Sequence, residues 1–422
     1  MQRPKRAGRP AQAARWLALA VAALIAASAW PAVAQIDLLS RDTIHGVVDL
    51  RAAASGGEPS FTHGGFGKSR YGGAGARAQV AEAALEWTPQ FDWDWNAVVD
   101  VGYQPGQEHR VDILQAYLVF RPTPRSATRF AARIGYFYPP ISLEHDARAW
   151  GVTDTITPSA IDTWVGEELK VVGAEATVSR QFGDQSLAVT VALFGYDDTA
   201  GTLLSFRGWA LDDIKSQARG SFRLPPLAAP DASFQASETY STLEIDHRLG
   251  YYVKLEWRPD APVTLDALAY DNRGDGTRVT SDGQWAWNTR FVDVGATAQL
   301  GAFAQLKAQA MSGRTWIGAP GPRLVDVSFR SAYLLATRDL GKNSLTLRAD
   351  AFETRDNAPG ASVAKGERGW ALDGAWRRPL NRCLDVRIEA LRIDSVRPGR
   401  ILAGESPHQV QTVLQSSLRL TF

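Results

Sequence analysis

Apolar and polar residues alternate along most of this chain, in short runs broken by turn residues. In the last run Val410, Thr412, Leu414, Ser416, Leu418, Leu420 and Phe422 fall on one face, and Gln411, Val413, Gln415, Ser417, Arg419 and Thr421 on the other. A strand produces this split because successive side chains point to opposite sides. Trp93, Trp95, Ala97, Val99, Val101 and Tyr103 make a similar apolar face against Asp94, Asn96, Asp100 and Gly102. The same period of two predicts sixteen strands: 44–52, 77–87, 93–103, 111–120, 128–137, 169–181, 187–196, 251–258, 263–271, 287–300, 302–312, 327–338, 344–354, 370–377, 383–393 and 409–422. Eighteen is the alternative count.

The connections sort by parity. One end of the strand set carries only short links, 88–91, 121–126, 182–186, 258–262, 301, 339–343 and 378–382. The other carries every long one, 55–75, 104–110, 138–167, 197–248, 272–284, 313–326, 355–369 and 395–408. Taken alone, an amphipathic last strand also suits a soluble sandwich, but a sandwich has no reason to sort its loops this way. Short periplasmic turns and long extracellular loops belong to an all-β, 16-stranded antiparallel transmembrane β-barrel. Aromatics agree with it. Trp87, Trp93, Phe120, Trp257, Trp376 and Phe422 lie at the short-turn ends, and Tyr103, Tyr136, Tyr196, Tyr251, Tyr270, Trp285 and Trp370 at the long-loop ends. Two such girdles suit the two membrane interfaces.

The N-terminus adds an address. Arg3, Lys5, Arg6, Arg9 and Arg15 precede an apolar run at 16–30 and an Ala32-Val33-Ala34 site. That is the grammar of a signal peptide, residues 1–34, cleaved after Ala34 and followed by a barrel domain at 35–422. Export, the barrel pattern and a terminal Phe422 together predict the outer membrane of a Gram-negative bacterium. The expected partners are its lipid, its lipopolysaccharide and the barrel-insertion machinery reading the last strand. With 46 Lys+Arg against 45 Asp+Glu, net charge implies no nucleic-acid partner, and the single Cys383 precludes an internal disulfide framework.

Sixteen strands enclose an aqueous lumen, and ionised side chains are too costly on the lipid face. Arg129, Arg133, Lys254, Arg258, Lys307, Arg348, Arg377 and Arg387 therefore face inward, as do Asp350, Asp373, Glu389 and Arg419. The loop at 138–167 is too long for a hairpin. Its stiff Pro139-Pro140 start and its Glu144, His145, Asp146, Arg148 and Asp154 make it a candidate constriction. The other very long loop, 197–248, stays extracellular or fills the lumen.

Gln115-Ala-Tyr-Leu118 and Arg133-Ile-Gly-Tyr-Phe-Tyr-Pro-Pro-Ile-Ser-Leu-Glu144 resemble the "AYL … G-x-F-x-x-P-x-S-L-E" stretch of the phosphate-selective porin O/P family. The resemblance implies a 16-stranded, homotrimeric channel narrowed by its third loop. Anion selectivity in that family depends on an arginine ladder and a lysine cluster. The matching loop here carries Arg148 beside Glu144, Asp146 and Asp154 and no lysine, so the solute is not implied.

The expected function is a porin passing small hydrophilic solutes or ions, anions among them, with no catalysis, cofactor or metal. The alternatives are a barrel lipase or protease built on His145 or His247, which needs a Ser–His pair oriented by a third group, and a plugged structural barrel.

Overall fold

The structure is a computed structural model that describes residues 36–319, 321, 323–358 and 363–422; the expected signal peptide lies outside them. Sixteen strands close into one barrel. They are β1 (Ile44–Gly56), β2 (Gly75–Trp87), β3 (Trp95–Tyr103), β4 (Val111–Phe120), β5 (Thr128–Phe137), β6 (Val171–Phe182), β7 (Gln185–Gly195) and β8 (Gly250–Arg258). The circle continues with β9 (Val263–Asp271), β10 (Asn288–Leu300), β11 (Ala304–Ile317), β12 (Val325–Leu340), β13 (Asn343–Asp356), β14 (Glu367–Pro379), β15 (Leu384–Val396) and β16 (His408–Thr421). Every neighbour pair is antiparallel, and β1 pairs with β16 to remove the last edge. At that seam Gly46 and Phe422 exchange backbone hydrogen bonds of 2.9 and 3.1 Å. A Cβ at Gly46 would lie 2.4 Å from the Phe422 ring, so a larger residue there would displace that ring.

Each predicted strand is present, with ends moved by a few residues. The third begins at Trp95 rather than Trp93, because Asp92 accepts the N–H groups of Asp94 and Trp95 (2.7 and 2.8 Å) and turns the chain. Two bulges break the alternation the sequence implied. Asp49 and Leu50 on β1 face Glu82 and Val80, leaving Ala81 as the extra residue; Asp100 and Val101 on β3 face Gln115 and Ile113, leaving Leu114. Both extra residues are buried.

No helix among the described residues is long and apolar enough to cross a membrane; strands do the crossing. Their outward faces expose Leu187, Val189, Val191 and Leu193 on β7, Tyr251, Val253, Leu255 and Trp257 on β8, and Leu414, Leu418 and Leu420 on β16. Water would penalise such a band by about 25 cal/mol per Å², whereas hydrocarbon does not. The hydrophobic core lies inside the barrel instead. Tyr270 and Trp285, expected in the outer girdle, are both buried. Tyr270 faces the lumen, where the inserted loops supply apolar partners, and Trp285 packs in an apolar cap of loop residues with Phe206, Phe222 and Phe234.

Candidate functional site, the lumen and its inserted loops

Two long connections, 138–170 and 196–249, fold into the barrel. The first carries the helix α1 (Ala160–Glu168). Ser159 starts it, its Oγ accepting the Asp162 N–H at 3.2 Å, a standard way to satisfy an orphan helical donor. All nine residues of α1 are buried. Trp164 meets Trp209 of the second loop and Phe291 and Phe329 of the wall edge-on, at 6.0, 5.6 and 5.2 Å. Phe194, Tyr252, Tyr270, Leu391 and Ile393 complete this layer. It occupies the half of the lumen toward the long loops, where Glu367 of β14 is also buried, paired with Lys68 and Arg397.

The periplasmic half is built differently. Here the extended stretch after Tyr138 is held through its backbone by charged wall groups. Arg387 Nη1 donates to the carbonyls of Val152 (3.0 Å) and Thr155 (2.9 Å), Arg419 Nη1 to Val152 (3.0 Å) and Arg348 Nη1 to Thr157 (2.6 Å). Glu389 accepts the N–H groups of Ile156 and Thr157, at 2.5 and 3.0 Å. Asp350 accepts that of Ala160 at 3.1 Å.

Most of the sequence candidates come together at this contact. Glu144 takes the Ser159 N–H (2.7 Å) and faces Arg348 at 3.2 Å. Asp146 and Asp154 both pair with Lys307 at 2.9 Å. Arg148 reaches Glu86 of β2 at 2.6 Å. Lys254 donates to the Pro140 carbonyl (2.8 Å), and Arg133 chelates Glu175 while donating to the Tyr138 carbonyl at 3.2 Å. His145 stacks on Trp150 at 3.6 Å, and Trp150 on Tyr138 at 3.7 Å. Burial, with Lys215 and Lys307 nearby, keeps this imidazole far below its ordinary pKa and hence neutral. Arg129, Arg258 and Arg377 stand apart, toward the periplasmic mouth, where Arg129 and Arg258 are exposed and Arg377 pairs with Asp385 at 3.7 Å.

Sequence reasoning left the second loop open between mouth and lumen and singled out none of its contacts. Asp213 lies between Arg51 of β1 and Arg70, at 2.9 Å from each. Lys215 pairs with Glu82 and donates to the Ala149 carbonyl at 3.0 Å. Arg207 grips Glu167 of α1. A signal existed. The runs Ala160-Ile161 with Trp164-Val165, and Trp209-Ala210-Leu211, are apolar segments inside connections that water would otherwise bathe.

The inserted loops fill most of the lumen at mid-height. Most strands turn inward there a side chain that is less than a tenth exposed, from Asp49, Glu82, Asp100 and Gln115 through Tyr252, Asp293 and Tyr333 to Arg348, Asp373, Glu389 and Gln415. On β5 and β6 the paired Arg133 and Glu175 stay 17% and 11% exposed.

Hydrolytic and metal readings gain little from the geometry. Ser142 Oγ lies 2.8 Å from His145 Nδ1, but it also accepts the N–H groups of Glu144 and His145, as a local turn cap does. No carboxylate orients this imidazole among the described residues. His247 is largely exposed, with Glu244 at 3.9 Å. Asp198, Glu244 and Asp246 bring ligand atoms within 4.8 Å of one another. Their oxygens already accept backbone N–H groups of Tyr196, Ile245, Asp246 and His247, which explains the cluster as loop structure.

No family model matches the chain, and no curated protein matches it in sequence. Its fold does have relatives. The outer membrane channel DcaP of Acinetobacter baumannii superposes with a TM-score of 0.56 at 12% identity, over 93% of this chain and 99% of that one. A loop-L8 deletion mutant of OmpT, an outer membrane protein of Vibrio cholerae, gives 0.51 at 8% identity over 90% and 99%. The trimer form of OmpT gives 0.50 at 10% identity over 90% and 99%. At these identities the likeness concerns the barrel alone: this chain shares the closed, antiparallel, 16-stranded architecture of outer-membrane channels.

Proposed function

We propose that this protein is an outer-membrane channel for small hydrophilic solutes whose resting state is shut by its own loops. The carrying observation is the inner wall. A purely structural barrel has no use for Arg348, Arg387, Arg419, Lys307 and Lys254 turned toward its axis, whereas a wet passage does. In the closed state those groups are occupied by the loop, which stands where a solute would pass. Passage follows displacement of the stretch from Ser142 to Thr157. Acids and bases alternate along this layer, Arg148 with Glu86 and Lys307 with Asp146 and Asp154, so the open passage admits anions and cations with little preference. No catalytic step is assigned.

Planar-bilayer recording tests the reading. The native protein is expected to open rarely, and a variant with residues 142–157 replaced by a short Gly-Ser linker to conduct steadily. Absence of current from both, at every voltage, overturns it. The outer-membrane location, cleavage after Ala34 and the homotrimer belong to the same proposal. The OmpT trimer form supports a trimer, and SDS-resistant, heat-modifiable oligomers are its signature on a gel; a monomer in mild detergent counts against it.

A further inference from the structure

Where the apolar and ionic layers meet, the lumen buries more acid than base. Arg348 lies 3.2 Å from Glu144, 2.8 Å from Asp350 and 3.3 Å from Asp373. Asp162 of α1 stands against Glu144 and Ser142, with Asp293 of β10 also facing it and the Tyr333 hydroxyl at 3.3 Å. Glu389 faces Asp373 from the next strand. The five carboxyls of Glu144, Asp162, Asp350, Asp373 and Glu389, and Arg348 itself, are less than a tenth exposed, as is Asp293.

The cations nearby are already engaged. Arg387 pairs with Asp385, Arg51 with Asp49 and Asp213, Arg419 with Asp49, and Lys307 with Asp146 and Asp154. Among the described residues no Lys or Arg lies within ion-pair distance of Asp162 or Glu389. Both oxygens of Asp373 and one of Asp162 lack a hydrogen-bond partner, as does Nη2 of Arg348. One guanidinium cannot neutralise five buried carboxylates, because each uncompensated charge in such a site costs several kcal/mol. A carboxyl in that position keeps its proton instead.

We infer that the plug is a proton-linked gate, held shut by protons retained on Asp162 of the loop and on Asp350 and Asp373 of the wall, beside Glu144 and Glu389. The inference depends on the channel reading only for its consequence, since docking of the loop is measurable without conduction. The sign follows from which state binds the protons. Burial, with Glu144 beside it, raises the Asp162 pKa far above its ordinary value in the closed state. In a loosened state water restores an aspartate value of about 4. Closure is therefore complete in acid and weakens as pH rises through the closed-state values. On opening, each proton leaves to solvent base, and the repulsion left among the carboxylates disfavours return of the loop.

Hydrogen exchange on the full-length protein in detergent tests this. The backbone N–H groups to follow are those of Ile156, Thr157 and Ala160, which donate to Glu389 and Asp350. After correction for intrinsic exchange rates, protection is expected to fall between pH 6 and pH 9, by up to about tenfold per pH unit for each proton released. Asp162→Asn with Asp373→Asn copies the protonated pair and is expected to keep protection at pH 9. Equal protection of the native protein at both pH values overturns the gate, as does an Asn variant that loses protection as steeply as the native. If the double variant loses its heat-modifiable band, Asp162→Asn alone and the native series decide. Protection that falls with pH in a protein passing no current supports the gate and counts against the channel.

Discussion

The two layers inside the barrel hold the same loop by different physics. Around the Trp164 side chain of α1 the contact is apolar: it is fully buried among Trp209, Phe291 and Phe329. A few residues earlier the loop is held by Arg348, Arg387, Arg419 and Glu389 through its backbone. Apolar burial stabilises in proportion to area, about 25 cal/mol per Å², and tolerates small shifts. Buried ionic contacts must first recover the cost of desolvation and add little net. They demand one geometry and lose it abruptly. The upper layer anchors; the lower layer positions and can let go.

Removing the anchor is the harshest way to break this contrast. Trp164→Ala is expected to cost about 3–5 kcal/mol of loop docking, the range for a fully buried aromatic. Frequent opening in bilayer recordings and loss of exchange protection across α1 would follow, with the barrel's heat-modifiable band intact. A variant as quiet as the native would show that the ionic layer alone closes the lumen. Arg387→Gln strikes that layer. It removes charge-assisted bonds to the Val152 and Thr155 carbonyls and leaves Asp385 to Arg377, for about 1.5–3 kcal/mol. Opening should rise less than for Trp164→Ala, and protection of α1 should persist. Were Arg387→Gln the more disruptive, the assignment of anchor and positioner would be reversed.

A charge inside the anchor sharpens the division further. Glu168 ends α1, accepting the Trp164 indole N–H at 2.6 Å and the Leu203 N–H at 3.0 Å. Burial pushes its pKa up to about 7. The docked state thus holds a proton that the undocked state releases near 4.5. The stabilisation is full below the lower value and is lost as pH rises from there through the upper one, at about 1.4 kcal/mol per pH unit between them. Glu168→Gln should shrink the rise in opening between pH 6 and pH 8. An unaltered pH profile would assign that rise to the carboxyls around Arg348 alone.

The barrel was legible because lipid outside and polarity inside impose alternation on every strand, and because loop length follows parity. Its closed count of sixteen excludes the eighteen-strand alternative. The plug was only half legible. Glu144, Asp146, Arg148 and Asp154 drew attention through charge in a loop of unusual length. Trp164 and Trp209 did not, since an aromatic in a long loop reads equally as a mouth or a membrane surface. Arg51 and Lys215 were invisible for another reason: their partners Asp213 and Glu82 are far away in sequence, and only three-dimensional closure pairs them. The inner apolar belt was hidden by Tyr270, which periodicity alone placed with the membrane-facing aromatics.

The smallest effect is expected at the wet edge of the ionic layer. Lys307 is buried between Asp146, whose side chain is 43% exposed, and Asp154, which is 12% exposed. Asp146→Asn removes a half-solvated partner and leaves Lys307 paired, so the loss should stay below about 1 kcal/mol and fade in 1 M salt, where screening reaches ~3 Å. Asp154→Asn should cost more. That carboxylate also accepts the Thr337 hydroxyl at 3.0 Å, and its removal leaves Lys307 to an exposed partner. Opening frequencies of both variants at 0.1 M and 1 M salt separate the cases. Equal, salt-insensitive effects would mean that the edge is as dry as the centre and that the ionic layer releases as one unit rather than from its periplasmic rim.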